Sequence, residues 1–204
     1  AAAITRWWLE REAGRTALLM APTNHAVDEL NHYCQLVRIG EGQLDPTSPG
    51  VRVGAHTIFV GDEIAPRDND RRLLTDRGRM VRNRAEWTVT AIHVDGSISA
   101  EGRSGRVRLP KEYVAGHVDL AYARTGAGAQ GRTVDAAILY LDGPTDVRNL
   151  YVPMTRGRST NEVFVATTGE QTALDVVAQS IATDWIDRSP VTAGPALHRH
   201  RRRE

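Results

Sequence analysis

Thr16-Ala17-Leu18-Leu19-Met20-Ala21-Pro22-Thr23-Asn24 decides the fold class. Its apolar run, Ala17 to Ala21, is too short for a helix and fits a strand buried on both faces, as in a parallel sheet. Pro22-Thr23-Asn24 then supplies a turn and an N-cap, and Val27, Leu30, Cys34 and Val37 follow at helical spacing. Strand, tight polar turn and helix together are the building unit of an α/β domain. A Thr hydroxyl and free backbone N–H groups at such a helix start suit a phosphate; the same residues also serve as a plain helix cap.

The pattern extends outward on both sides. Residues Ala2 to Ala13 read as a helix through Ile4, Trp7, Trp8 and Arg11, with Gly14 as its stop. Between about Gly40 and Pro110 the chain turns to short alternating runs, among them Thr57–Val60, Glu86–Ile92 and Arg106–Leu109. Asp95-Gly96 between two such runs signals a hairpin. A small β-barrel inserted into the α/β domain is expected there. From Val118 the α/β character returns: Val134–Leu141 and Val163–Thr167 as strands, a short helix within Thr145–Thr155, and a closing helix from Thr172 to Trp185 with Leu174, Val177, Ile181 and Trp185 in register. The tail, residues 191–204, is basic without an apolar face and reads as disordered.

Composition bounds the function. The 204 residues are 41% apolar and 25% charged, enough for a core. Cys34 is the single cysteine, so an internal disulfide is excluded; it lies on an apolar helix face and reads as core, and the seven histidines lack metal-ligand spacing. No metal site is expected. No run reaches the length of a membrane span, so no membrane partner is expected and a cytoplasmic protein is the default. Of 26 basic residues only Lys111 is lysine, which points to a GC-rich bacterial genome. Lys111 follows Leu109-Pro110, so this chain holds no Walker A loop. The net charge of +1 provides no global field for nucleic acid, and any such case rests on local patches.

Two further clusters carry polar chemistry. In Thr125-Gly126-Ala127-Gly128-Ala129-Gln130-Gly131-Arg132-Thr133-Val134-Asp135, three glycines allow close approach to a ligand, and the same composition also describes a flexible loop. In Asn149-Leu150-Tyr151-Val152-Pro153-Met154-Thr155-Arg156-Gly157-Arg158, an Arg beside a glycine could reach a transferring phosphate or form a solvated pair at a helix end. Arg67, Arg71, Arg72, Arg77, Arg79, Arg82 and Arg84 crowd the insertion, interleaved with six acids, which fits either a groove for a DNA backbone or a mixed-charge surface. Trp87 falls in a strand pattern and reads as core.

In order along the chain, these clusters resemble motifs V and VI of superfamily 1B helicases, closest to the RecD/TraA-like half of MobF-type conjugative relaxases. "Leu-Ala-Pro-Thr-Asn" of that family is matched at Leu19-Met20-Ala21-Pro22-Thr23-Asn24, and Gly61-Asp62-Glu63-Ile64 looks like the entry into an SH3-like barrel. The resemblance covers about residues 15–168. It implies a RecA-like motor domain at 1–41 and 113–190, with the barrel at 42–112. It implies ATP and Mg²⁺ as cofactors, single-stranded DNA as partner, and an N-terminal half of the same polypeptide that brings the P-loop; the present chain would be a monomeric piece cut from a longer protein, without ATPase activity alone. By resemblance Arg156 is the arginine finger, with Gln130, Gly131 and Arg158 beside the nucleotide, and Thr23, Asn24, Thr125 and Thr133 hold DNA phosphates. The sequence departs from the family at Ala127, where His is usual, at Gly126 and Gly128, where larger residues stand, and at Pro153, where Ala is usual. Those departures keep a second reading open: a non-catalytic DNA- or protein-binding module derived from a motor domain.

Overall fold

Strand β1 (Ala17–Ala21) forms where the apolar run predicts it, in a computed structural model that describes residues 1–167 and 169–183. It follows α1 (Ala2–Glu12) and leads into α2 (Asn24–Gly40). The insertion then supplies β2 (Val51–Val53), β3 (His56–Ile58), β4 (Glu63–Pro66), β5 (Asp70–Leu74), β6 (Met80–Val81), β7 (Trp87–Ile92), β8 (Ile98–Gly102) and β9 (Gly105–Leu109). Next come α3 (Lys111–His117), β10 (Val118–Leu120), β11 (Ala123–Thr125), β12 (Val134–Leu141), α4 (Val147–Tyr151), β13 (Gly157–Val165) and α5 (Ala173–Ala182). Single 3-10 turns sit at Ala127–Ala129 and Pro153–Thr155.

A four-stranded, all-parallel sheet in the order β11-β1-β12-β13 organises the part outside the insertion. Leu18 and Met20 face one side, with Leu139, Leu150 and Val176; Leu19 and Ala21 face the other, with Trp7, Leu30 and Cys34. Covering both faces explains why β1 is a continuous apolar run rather than an alternating one. Strand β13 starts six residues before the apolar run that announces it. Its first half, Gly157–Glu162, is polar and lies at the sheet edge, so the backbone ladder to β12 extends it where hydrophobic periodicity is silent.

The helices bury the faces the sequence offers, with one exception. α1 turns Ile4 and Trp7 inward, and its buried Glu10 is held by Arg6 and Arg15. In α5, Leu174 and Ile181 are exposed (76% and 60%), and Val176 and Ser180 are buried instead. Ser180 tolerates burial because its hydroxyl donates to the Val176 carbonyl (2.8 Å) and accepts from the Thr145 N–H (3.0 Å). Trp185 and the tail lie outside the described residues. No described helix is long and apolar enough to cross a membrane.

The insertion is antiparallel, in the order β10-β4-β7-β8-β9, with β2–β3 and β5–β6 as separate ribbons. The Asp95-Gly96 hairpin joins β7 to β8, with Gly96 at φ +80° and Asp95 accepting from the Ser97 N–H. No ladder joins β9 back to β10 among the described residues; the strands of the expected small barrel lie in one five-stranded sheet and two ribbons. Its edge strand β10 comes from beyond residue 112. Trp87 is buried, as its strand pattern predicts.

One apolar core runs without a break from Trp7 and Leu19 of the parallel-sheet part to Ile64, Trp87 and Leu109 of the insertion. A buried polar network stiffens the junction. Asp62 accepts from the Phe59 N–H and Gln35 Nε2 (2.7 Å each) and from the Tyr122 hydroxyl, which in turn accepts from Arg38 (3.0 Å). Burial raises the Asp62 carboxyl against the pull of these donors. Nearby, Asn31 of α2 donates to the Leu120 carbonyl (3.0 Å) and accepts from the Ala123 N–H (2.7 Å), tying α2 to the start of β11.

Asn31→Ala leaves two buried backbone groups unpaired, and should lower unfolding free energy by about 2–4 kcal/mol in urea denaturation. A loss below about 1 kcal/mol would contradict this role for the buried amide.

Candidate functional site

Register divides the candidate residues between two edges of the parallel sheet. Ala21 stands opposite Thr125, so the residues after β1 and β11 share the edge where strands end. Val134 stands opposite Gly157, so the residues before β12 and β13 share the edge where strands begin.

At the first edge Thr23 caps α2: its hydroxyl oxygen accepts from the Ala26 N–H (3.1 Å). The capping reading therefore holds, and Thr23 and Asn24 are both exposed. The Thr125 hydroxyl accepts from the Gly128 N–H (3.1 Å), closing the turn after β11. Asn24, Thr125 and Gly128 line a groove of about 480 Å³ against Asn83 and Arg84 of the insertion. Asp28 and Asp119 bring carboxylates to the same groove and Arg67, Arg84 and Arg124 guanidiniums; Asn24 and Thr125 are the neutral groups there that suit phosphates.

At the second edge the Val134 N–H donates to the Arg156 carbonyl (3.0 Å). Arg156 is half-buried; its Nε donates to the Val152 carbonyl (3.0 Å), and its guanidinium pairs with no carboxylate among the described residues. Gln130 and Gly131 are exposed, with Gly131 at φ +79°. Arg158 lies 3.7 Å from Asp135. Asp135 also takes the Thr16 hydroxyl (2.7 Å) and N–H (2.9 Å), and these bonds hold its carboxyl below the usual range. Thr133 lies at this edge, beside Thr16 and Arg158, and not with Thr23 and Thr125. The resemblance groups all three threonines on DNA; the structure brings together only Thr23, Asn24 and Thr125.

The glycine-rich loop joins the edges, and its departures from the family pattern fit one another. A Cβ on Gly126 would lie 3.2 Å from the Pro153 ring, so the small residue at 126 makes room for the ring at 153. Pro153 is the first residue of a 3-10 turn, where a missing N–H costs nothing. That turn still forms, with the Arg156 N–H on the Pro153 carbonyl (3.1 Å). A Cβ on Gly157 would strike the Thr160 carbonyl at 1.9 Å, so only glycine fits. Asn161 clasps Gly157 through its N–H (2.8 Å) and carbonyl (3.0 Å), and so fixes the backbone next to Arg156.

A cluster that sequence reasoning missed braces the loop from the insertion. Glu86 pairs with both Arg124 of β11 and Arg132 of the loop, and Arg84 reaches the Ala127 carbonyl (3.4 Å). Burial pushes the Glu86 carboxyl up, but Arg124, Arg132 and Arg103 outweigh it and hold it below the usual range. Burial lowers the Arg124 guanidinium, and Glu86 works against that shift. Nothing local announces a pair 38 residues apart; Glu86 reads only as the start of a strand.

The chain is similar to known proteins. It is 32% identical over 174 residues to the multifunctional conjugation protein TraI of Escherichia coli K12, covering 79% of this chain and 10% of TraI. A second E. coli TraI is 35% identical over 118 residues, 53% of this chain and 7% of that protein. The chain thus spans a tenth or less of the TraI proteins it matches. It is 31% identical over 172 residues to uncharacterized protein Rv2311 of Mycobacterium tuberculosis H37Rv, covering 82% of this chain and 81% of that one. Among solved structures, a Bacteroides Pif1 helicase in complex with ADP-AlF3 and ssDNA superposes with a TM-score of 0.52 at 16% identity, over 74% of this chain and 40% of that one. The likeness to Pif1 is one of fold: a mixed α/β domain with a parallel sheet. No family model matches the chain.

Because the Glu86 carboxyl is lowered in the fold, its contribution to stability is present above the usual glutamate value of about 4.3 and is lost as pH falls through the lowered value. The difference in urea midpoint between the native chain and Glu86→Gln should therefore be present at about pH 6 and shrink as pH falls below about 4.3. A difference that stays constant across that range would contradict the bridge.

Proposed function

We propose a function from the premise that this chain belongs to one family with the mycobacterial protein Rv2311 and carries a superfamily 1 helicase-like domain. It is the second motor half of an ATP-dependent helicase or translocase on single-stranded DNA, of the kind a conjugative relaxase–helicase contains. The observation that carries this reading is the glycine-rich connection of residues 126–133. It starts at the edge bearing Thr23, Asn24 and Thr125 and ends at the edge bearing Arg156.

Each residue has a distinct task in this reading. Thr23, Asn24 and Thr125 donate to strand phosphates through hydroxyl, amide and backbone groups, a grip weak enough to be released and remade. Arg156, with no carboxylate to neutralise it, donates to the phosphate oxygens on which charge develops. Gln130 and the open backbone at Gly131 meet the nucleotide alongside it, and Arg158, half-committed to Asp135, borders the same site. When bound, ATP supplies the phosphoryl group whose loss powers the cycle. This chain's sequence has no Walker A lysine, so the P-loop and the Mg²⁺-binding carboxylate come from an N-terminal half of the same polypeptide. On this reading the protein works in the cytoplasm, as a monomer, and the chain alone hydrolyses no ATP.

One observation favours a second reading, a non-catalytic binding module. The aligned region makes up 81% of Rv2311, so that relative has little room for another motor half. Ala127, where the family has His, fits a loop released from nucleotide chemistry.

Arg156→Ala in the intact polypeptide decides between them. The motor reading expects DNA-stimulated kcat to fall by about 10³-fold with little change in the KM for ATP. An unchanged kcat contradicts the arginine finger, and an intact polypeptide with no ATPase of its own replaces the motor reading with the module.

A further inference from the structure

The net charge of +1 conceals a local imbalance. Four arginines of the insertion have a carboxylate partner: Arg67 with Asp119 (3.1 Å), Arg72 with Asp70 (3.3 Å), Arg106 with Glu101 (3.3 Å) and Arg108 with Asp95 (2.9 Å). Arg79, Arg82 and Arg103 do not. All three are exposed, and their side chains make no hydrogen bond or ion pair among the described residues. They line one crevice of about 920 Å³, between the insertion and the sheet edge where strands begin.

The opposite wall adds donors. Arg132 and Arg158 lie on it, with the hydroxyl of Thr133 and the exposed backbone of Gly131. The single carboxylate in the lining is Glu86, already shared by Arg124 and Arg132. An adjoining cleft shares Glu86, Arg103 and Arg132 with this crevice and is also lined by Trp87 and Arg124. Trp87 Nε1 and Arg124 Nε are buried donors without a partner in the fold. The crevice is thus rich in N–H and O–H donors with one carboxylate, while the adjoining cleft also carries Glu12, Glu63 and Glu101.

We propose that this crevice is a second track for the phosphodiester backbone of single-stranded nucleic acid. It lies at the opposite sheet edge from Thr23 and Thr125. Guanidiniums, hydroxyls and backbone N–H groups are the donors that phosphate oxygens take. The crevice shares Gly131 and Arg158 with the nucleotide side of the proposed motor and extends from them to Arg79, Arg82 and Arg103 of the insertion, a span that suits a chain of phosphates. Met80 and Ala85 offer apolar surface for sugars or base faces. The segment 82–86 connects the tracks: Arg82 and Glu86 border this crevice, and Asn83 and Arg84 border the groove at Thr125. The proposal stands on charge and geometry and does not rest on the motor reading.

The test is binding of a fluorescein-labelled oligo-dT to the chain, followed by anisotropy over a salt series. R79A/R82A/R103A should lose about tenfold or more in affinity at low salt, and the slope of log Kd against log salt should flatten by about 2, near 0.7 for each phosphate that the variant leaves unneutralised. Arg79 and Arg82 bond to nothing in the fold and Arg103 acts on Glu86 through its charge alone, so thermal unfolding should change little. R79K/R82K/R103K should keep most of the slope, since a point charge still pairs with phosphate. Unchanged affinity and slope in the alanine variant, or no oligo-dT binding by the native chain at low salt, overturns the proposal. So does full displacement of the oligonucleotide by polyglutamate at equal charge, which would make the crevice a dock for an acidic protein segment. T23A/N24A/T125A tests the other edge separately: loss there with normal behaviour of the arginine variant sinks this inference and leaves the motor reading standing.

Discussion

Strand β1 has a parallel neighbour on each side, β11 and β12, and the chain must pass from one to the other within residues 126–133. Two parallel strands can be joined only by carrying the chain back along the sheet, and such crossovers usually take a dozen residues or more. Eight residues leave space for a single 3-10 turn and no helix. That explains the glycines: Gly126 lies under the Pro153 ring, and Gly131 takes a left-handed conformation. The same constraint separates Thr125 from Thr133, close in sequence and at opposite sheet edges.

The insertion acts on this short loop rather than hanging from the domain. A shared core and the Asp62–Tyr122–Arg38 network fix its root, and Glu86 and Arg84 hold the loop from the side. Motion of the insertion would therefore be felt at Arg124 and Arg132, between the two edges. Charge is arranged by the same logic. Arg67, Arg72, Arg106 and Arg108 carry carboxylate partners, and Arg79, Arg82 and Arg103, which face the crevice, do not.

Much of this was legible in the sequence because it is local. The run Ala17–Ala21, the Thr23 cap, the Asp95-Gly96 turn and the strand Val134–Leu141 each follow from a few adjacent residues. The face of α5 was not, because Leu174 and Ile181 carry the apolar period while Ser180, satisfied by its own helix and Thr145, takes the buried place. The start of β13 was hidden because edge pairing needs no apolar side chain. Within the site, Thr23, Asn24, Thr125 and Arg156 came from motif order, and the structure adds which edge each occupies. Glu86, Asn31 and Asn161 act across the fold on backbone or on distant arginines, and no spacing announces such partners. The arginine run of the insertion could be sorted only once each partner was known.

The central claim is that one short crossover couples the two ligand-binding edges of the parallel sheet. Hydrogen–deuterium exchange of the chain with and without oligo-dT tests it directly. The account predicts slower exchange on binding in residues 126–133 and in the bracing segment 82–86, as well as at the start of α2. Protection confined to the start of α2, with 126–133 exchanging as fast as in the free chain, would contradict it.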